Sequence, residues 1–267
     1  MLTDITLGQY FPGKSLLHRL DPRMKLVLTL LFIVLVFLPQ NWWGMAVVLA
    51  FMATVVGLSR LPVRLIWRSI KPVLFIVAFT AALNVLYVHE GETLFRWQFI
   101  HITTGGLVNA AFIAVRIMCL IVGSSMLTYT TTPTALTDAI ERLLSPLKWL
   151  GVNPHELAMM MTIALRFIPT LMEETDKIMA AQKARGADME SGGLLSRVRA
   201  LVPILIPLFV SSFRRAYDLA MAMECRCYQG GEGRTRMKQL HTAIRDWVAL
   251  AVYLLVLAAL VVLNILL

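Results

Sequence analysis

Residues 26–59 run without a single charged side chain, broken near the middle only by Pro39-Gln40-Asn41-Trp42-Trp43-Gly44. Few folds accept such a stretch. In water it would need burial on every side; in lipid each backbone N–H and C=O must be satisfied within the segment, which leaves helices. The two arms, residues 26–38 and 42–59, fall a little short of the ~20 residues that span a bilayer. They read as a helical hairpin with a tight outer turn, Trp42 and Trp43 at headgroup level and Lys25 and Arg60 snorkelling at the other end. The rest of the chain agrees: 58% of its residues are hydrophobic and 15% charged, against about 45–50% and about 25% in soluble domains. Residues 72–88, 105–129 and 247–267 supply three further apolar stretches. The predicted fold class is an all-α integral membrane protein with about five transmembrane helices.

The basic residues set an orientation. Lys14, Arg19, Arg23 and Lys25 precede the first pass, and Arg60, Arg64, Arg68 and Lys71 stand between the second and third with no acid among them. Both segments are expected on the cytoplasmic side. The link around residues 89–101 has Arg96 against Glu90 and Glu92 and is expected outside. With five passes the N-terminus is then cytoplasmic and the C-terminus extracellular, in the cell membrane. The net charge of +9 is this asymmetry and calls for no nucleic acid, since no basic stripe is interleaved with aromatics. No cleavable signal is expected, because the first 23 residues hold no apolar core of seven or more. Cys119, Cys225 and Cys227, odd in number and in or inside the membrane, predict no disulfide.

Three regions follow: residues 1–129 with an entry segment and four passes, 130–242 as a cytoplasmic helical block, and 243–267 as the last pass. The block is helical but too polar to span throughout. Thr132 and Pro133 read as cap and first helical residue, with Gly151 as the end. Asn153, Pro154 and Glu156 read as a capping box opening a long helix that passes Pro169. After Ser191-Gly192-Gly193 a third helix runs to Gly230-Gly231 and contains the uncharged stretch 200–213 with two prolines. Fourteen residues suit an interfacial or buried helix; the rival topology makes this a sixth pass, with a seventh before it.

Gly8 to Ser15 satisfy the Gly-x-x-x-x-Gly-Lys-Ser pattern of a phosphate-binding loop. That loop needs a strand before it and a helix after it. Only seven residues precede Gly8, Pro22 cuts off the segment that follows, and Pro12 removes a donor from the loop itself. Enzyme chemistry finds no other foothold. There is no His-Glu-x-x-His, no Gly-x-Ser-x-Gly and no paired carboxylates in a span, and Cys225-x-Cys227 with His241 is too sparse for zinc. Arg116 stands in the fourth pass, where it must find protein; a substrate path or a tie to a carbonyl or Asn84 are the two readings. Glu173, Glu174 and Asp176 read as a solvated face or as ion-pair partners for Arg214 and Arg215.

The two long cytoplasmic helices end alike. Ala181-Gln182-Lys183-Ala184-Arg185-Gly186 and Ala222-Met223-Glu224-Cys225-Arg226-Cys227 share Ala-x-x-(Ala or Cys)-Arg-(Gly or Cys) at a spacing of 41 residues. Each Arg is either a C-cap cation favoured by its helix dipole or, the two together, a paired docking device whose planar forks clamp carboxylates on a partner.

With Leu17-His18-Arg19-Leu20-Asp21-Pro22-Arg23-Met24-Lys25, these motifs resemble the EcfT family, the transmembrane coupling subunit of energy-coupling factor transporters, over essentially the whole chain. The resemblance implies that Ala184, Arg185, Gly186 and Cys225, Arg226, Cys227 dock on two ABC ATPase subunits. ATP and Mg would be bound there and no cofactor by this chain. It further implies a separate membrane-embedded substrate-binding subunit and uptake of vitamins or metal ions, this chain being a non-catalytic subunit. The second motif departs from the first in carrying cysteines around its Arg. Eight of the fifteen methionines lie between His155 and Met223, and the run Met159, Met160 and Met161 suits either core filling or a surface that repacks against interchangeable partners. With Leu201 and Leu205 they are the candidate interface for the substrate subunit. A self-sufficient transporter or channel is the other function class; the lack of an acid in any span weighs against a proton-driven carrier.

Overall fold

Asp21 before Pro22 reads as the cap and first-turn proline of the first helix, and the structure agrees: its carboxylate accepts the Arg23 N–H at 2.9 Å. The computed structural model describes residues 10–87, 93–97, 100–151, 153–187, 193–230 and 240–266. Gly8 of the phosphate-loop pattern, Glu90, Glu92, Ser191, Gly192 and Gly231 lie outside the described residues. The helices are α1 (Pro22–Phe37), α2 (Trp42–Ser59), α3 (Val63–Ile70), α4 (Leu74–Tyr87), α5 (Thr104–Thr130), α6 (Pro133–Leu143), α7 (Pro154–Ala184), α8 (Leu194–Glu224) and α9 (Ile244–Leu266). A short antiparallel hairpin, β1 (Thr93–Trp97) with β2 (Ile100–Thr103), pairs Arg96 with His101 across the link expected to be outside. It leads into α5, which Thr103 caps by accepting the Gly106 N–H at 3.2 Å.

Among the described residues four helices are long and apolar enough to cross a membrane: α2, α5, the Arg199–Glu224 part of α8, and α9. The α3–α4 pair, bent by 53°, adds a fifth if the two helices are counted as one broken span. An all-α integral membrane protein is therefore what the chain forms. By length and composition alone, the helices that qualify differ from the sequence reading in two places. At 16 residues, α1 is about 24 Å long, shorter than the hydrocarbon core, whereas α8 qualifies because it continues unbroken through Pro203 and Pro207.

The described residues form two compact units, 10–139 with 240–266 and 140–230. In the first, Phe32, Leu35 and Val36 of α1 pack against Val48 of α2, Cys119 of α5, and Tyr253 and Leu260 of α9. Gly123 of α5 makes the fit possible, since a Cβ there would stand 2.2 Å from the Phe32 ring. The two ends of this bundle differ in chemistry. At one, Lys25 is buried with its ammonium donating to the Thr130 carbonyl at 2.9 Å, at the exposed end of the α5 ladder. Beside it Asp246, 1% exposed, accepts the Asp21 N–H at 2.9 Å and the Ala243 N–H at 2.7 Å, and so satisfies the starts of α1 and α9 together. Arg23 bridges the Asp21 carboxylate and the Leu240 carbonyl. Burial raises the Asp21 carboxyl, but the hydrogen bonds and charge of Arg23 outweigh it and hold the group below the usual carboxylate value.

At the other end stand Pro39, Trp42 and Trp43. Asn264 donates to the Leu38 carbonyl at 2.8 Å and Arg116 to the Pro39 carbonyl at 2.9 Å. The Arg116 guanidinium also lies 4.9 Å from the Phe112 ring centre. Of the two readings, the carbonyl tie is the one observed. Asn84 is occupied with the Thr80 carbonyl of its own helix.

The entry segment is no phosphate loop. Ser15 bonds His18 Nδ1 at 2.6 Å, His18 Nε2 lies 2.9 Å from the Phe11 carbonyl, and only a 3-10 turn, Leu17–Arg19, follows. Pro12 and Gly13 read as a turn, but the bend falls at Ser15 and Leu16. Two cap assignments also change. The helix opened by Thr132, whose hydroxyl accepts the Ala135 N–H at 3.3 Å, ends at Leu143 instead of running to Gly151, because Ser145-Pro146 starts a separate 3-10 turn. Asn153 and Glu156 bond each other at 3.0 Å through their side chains instead of sharing backbone donors.

Candidate functional site

The unit of residues 140–230 is built on α7 and α8. They run antiparallel: Glu174 of α7 forms an ion pair with Arg215 of α8, and farther along α7 Gln182 meets Pro203, nearer the start of α8. The second contact follows from the sequence. Pro207 has no N–H to donate to the carbonyl four residues back, and Gln182 Nε2 supplies the missing donor to that Pro203 carbonyl at 3.3 Å.

Each helix closes with the same hydrogen-bond pattern. At the end of α7, the Ala187 N–H donates to the Gln182 carbonyl at 3.0 Å and the Gly186 N–H to the Lys183 carbonyl at 3.0 Å. At the end of α8, the Tyr228 N–H donates to Met223 at 3.0 Å and the Cys227 N–H to Glu224 at 2.8 Å. These are two Schellman motifs. Arg185 and Arg226 occupy the same position in both, and the following residue is left-handed in both, Gly186 at φ +84° and Cys227 at φ +53°. The repeat inferred at a spacing of 41 residues is thus a repeat of backbone geometry.

Arg185 and Arg226 are exposed, as are Ala184, Gly186, Cys225 and Cys227. Neither guanidinium meets an acceptor among the described residues. A helix C-terminus gathers partial negative charge, so each cation is held there by its own helix while its fork stays free for a carboxylate. Because the helices are antiparallel, the two tips stand at opposite ends of the pair.

The methionine run and the leucines do not come together. Met160 and Met161 are exposed on the first half of α7, roughly 30 Å along the helix from Gln182. Leu201 and Leu205, also exposed, flank Pro203 at the Gln182 end. Gln182 itself was not singled out from the sequence. A proline four residues after a helical position marks a free carbonyl there, and that signal could have asked for a donor.

This is a multi-pass, all-helical membrane protein with a paired set of basic-tipped helices. Residues 13–238 match the family model CbiQ, described as a cobalt transport protein. The chain is 53% identical over 240 residues to the energy-coupling factor transporter transmembrane protein EcfT of Ruminiclostridium cellulolyticum, covering 90% of each chain. It is 52% identical to that of Clostridium kluyveri over 93% of each, and 51% identical to that of Bacillus subtilis over 97% of this chain and 98% of the relative. The chain belongs to the EcfT family, the transmembrane component of energy-coupling factor transporters. It is a transport component of a multi-subunit complex.

Proposed function

We propose that this chain transmits the ATP-driven motion of two ABC ATPase subunits to a separate, membrane-embedded substrate-binding subunit, and that Arg185 and Arg226 are the two points where it receives that motion. The observation that carries the reading is the duplicate Schellman cap at the two ends of an antiparallel helix pair, each with an exposed Arg that has no partner among the described residues. Two equivalent tips facing opposite ways suit two ATPase chains, each offering an acidic groove. A rigid helix pair converts a change in the separation of those chains into a movement of its own axis. ATP and Mg belong to the ATPases. The cargo is a micronutrient, a vitamin or a metal ion such as the cobalt named by the matching family description, and it is held by the substrate subunit. The end of the bundle with Arg23, Lys25 and α3 faces the cytoplasm, which leaves the C-terminus outside.

Co-purification with both ATPases tests this. The wild-type chain is expected to retain the two subunits and to support ATP-dependent uptake, and R185A/R226A to lose both. Each buried charge-assisted pair is worth about 1.5–3 kcal/mol, so roughly tenfold or more in affinity is expected at each tip. A double variant that still holds both ATPases and drives uptake overturns the proposed role.

A further inference from the structure

Helix α3 is too short to cross a membrane and carries three kinds of surface. Ile66 is buried with Leu61, Val122, Met126 and Tyr129, and Leu65 packs beside them. The Ser69 hydroxyl bonds the Tyr129 phenol, which also donates to the Leu65 carbonyl at 3.4 Å. This face fixes α3 to the end of α5, next to Thr130 and the buried Lys25. On a second face Val63 and Trp67, one turn apart, are 76% and 62% exposed. On the third, Arg64, Arg68 and Lys71 fall within about 60° of arc, and Arg60 stands just before the helix. All four cations are exposed, no acid lies between residues 60 and 71, and none has a side-chain partner among the described residues.

The bend of 53° turns α3 away from the line of α4. Exposed apolar side chains follow on α4 at Phe75, Ile76 and Phe79. A free anion would be served by the cations alone and leave Val63 and Trp67 unexplained. We propose that α3 is a docking site for acidic phospholipids, their headgroup phosphates on Arg64, Arg68 and Lys71 with Arg60 beside them, and the upper acyl carbons against Val63 and Trp67.

Native mass spectrometry of the purified, delipidated full-length chain tests this, with phosphatidylglycerol and phosphatidylcholine of identical acyl chains as probes. Each Lys or Arg near an acidic surface contributes about fivefold. The wild-type chain is expected to favour phosphatidylglycerol at least tenfold, R64Q/R68Q/K71Q to lose that preference, and R64K/R68K to keep it. For wild type, raising salt from about 0.1 to about 0.5 M should weaken phosphatidylglycerol retention severalfold and leave phosphatidylcholine unchanged, a readout that needs no variant to fold. The site is overturned if wild type shows no preference, if salt has no effect, or if inorganic phosphate at millimolar concentration displaces the lipid. It is equally overturned if the folded triple variant keeps its phosphatidylglycerol.

Discussion

Cys227 occupies a backbone conformation that its homologous position gives to Gly186. An L-residue in the left-handed region costs roughly 1–2 kcal/mol relative to glycine, and the cap nonetheless forms because its two hydrogen bonds close the end of α8. C227G should therefore stabilise the purified chain by about 1 kcal/mol and G186A destabilise it by a similar amount, both read as shifts in thermal midpoint, with the Arg fork of each tip unchanged. Asp21 offers a second test at this scale. Its carboxyl lies lower in the folded chain than in the unfolded one, so its contribution is fully present above the unfolded value near 3.9 and is lost as pH falls through the folded value. D21N keeps a cap acceptor but not the charge on Arg23. The gap in thermal midpoint between wild type and D21N should be open at pH 6 and narrow as pH falls below the ordinary carboxylate range; a gap independent of pH would show that the charge contributes nothing.

At the scale of elements, the α7–α8 pair is held by Glu174–Arg215 and by the amide that Pro207 calls for. The proline and the glutamine should be energetically coupled. In the wild-type background Q182A is expected to cost about 1 kcal/mol. In a P207A background the new N–H can reach the Pro203 carbonyl, and the same change should cost close to nothing. Equal costs in both backgrounds, measured as a double-mutant cycle in thermal or denaturant unfolding, would deny the link. Helix ends were readable where one residue type has one use, as at Asp21-Pro22 and Thr132-Pro133. They were misjudged where side chains had a choice: Asn153 and Glu156 satisfy each other, and the 3-10 turn at Ser145–Leu150 interrupts what periodicity alone joined.

For the whole molecule, the charge asymmetry along the chain becomes a difference between the two ends of one bundle. Arg23, Lys25 and the α3 cations gather where α1 and α9 begin and α5 ends; Trp42, Trp43 and the Pro39 carbonyl mark the opposite end. The native cysteines report the side of the α8 tip without engineering, because Cys225 and Cys227 are exposed and Cys119 is buried. A membrane-impermeant maleimide should label the chain expressed alone in inside-out vesicles and not in right-side-out ones, and C225S/C227S should abolish the signal. Labelling from the outer side would overturn the docking of the Arg226 tip on a cytoplasmic ATPase.

The class follows from the residues alone: a long uncharged stretch cannot leave its backbone unpaired in lipid, so it must be helical, and the repeated Ala-x-x-(Ala or Cys)-Arg-(Gly or Cys) marks two equivalent helix ends because local hydrogen bonding closes both in the same way. Tertiary structure alone decided which partners the isolated polar groups find. Asp246 reaches Asp21 across 225 residues, Arg116 takes Pro39 rather than Asn84, and Gln182 completes the Pro203 carbonyl. Those pairings depend on which helices become neighbours, and packing sets that through fits such as Gly123 against Phe32, which no local spacing encodes.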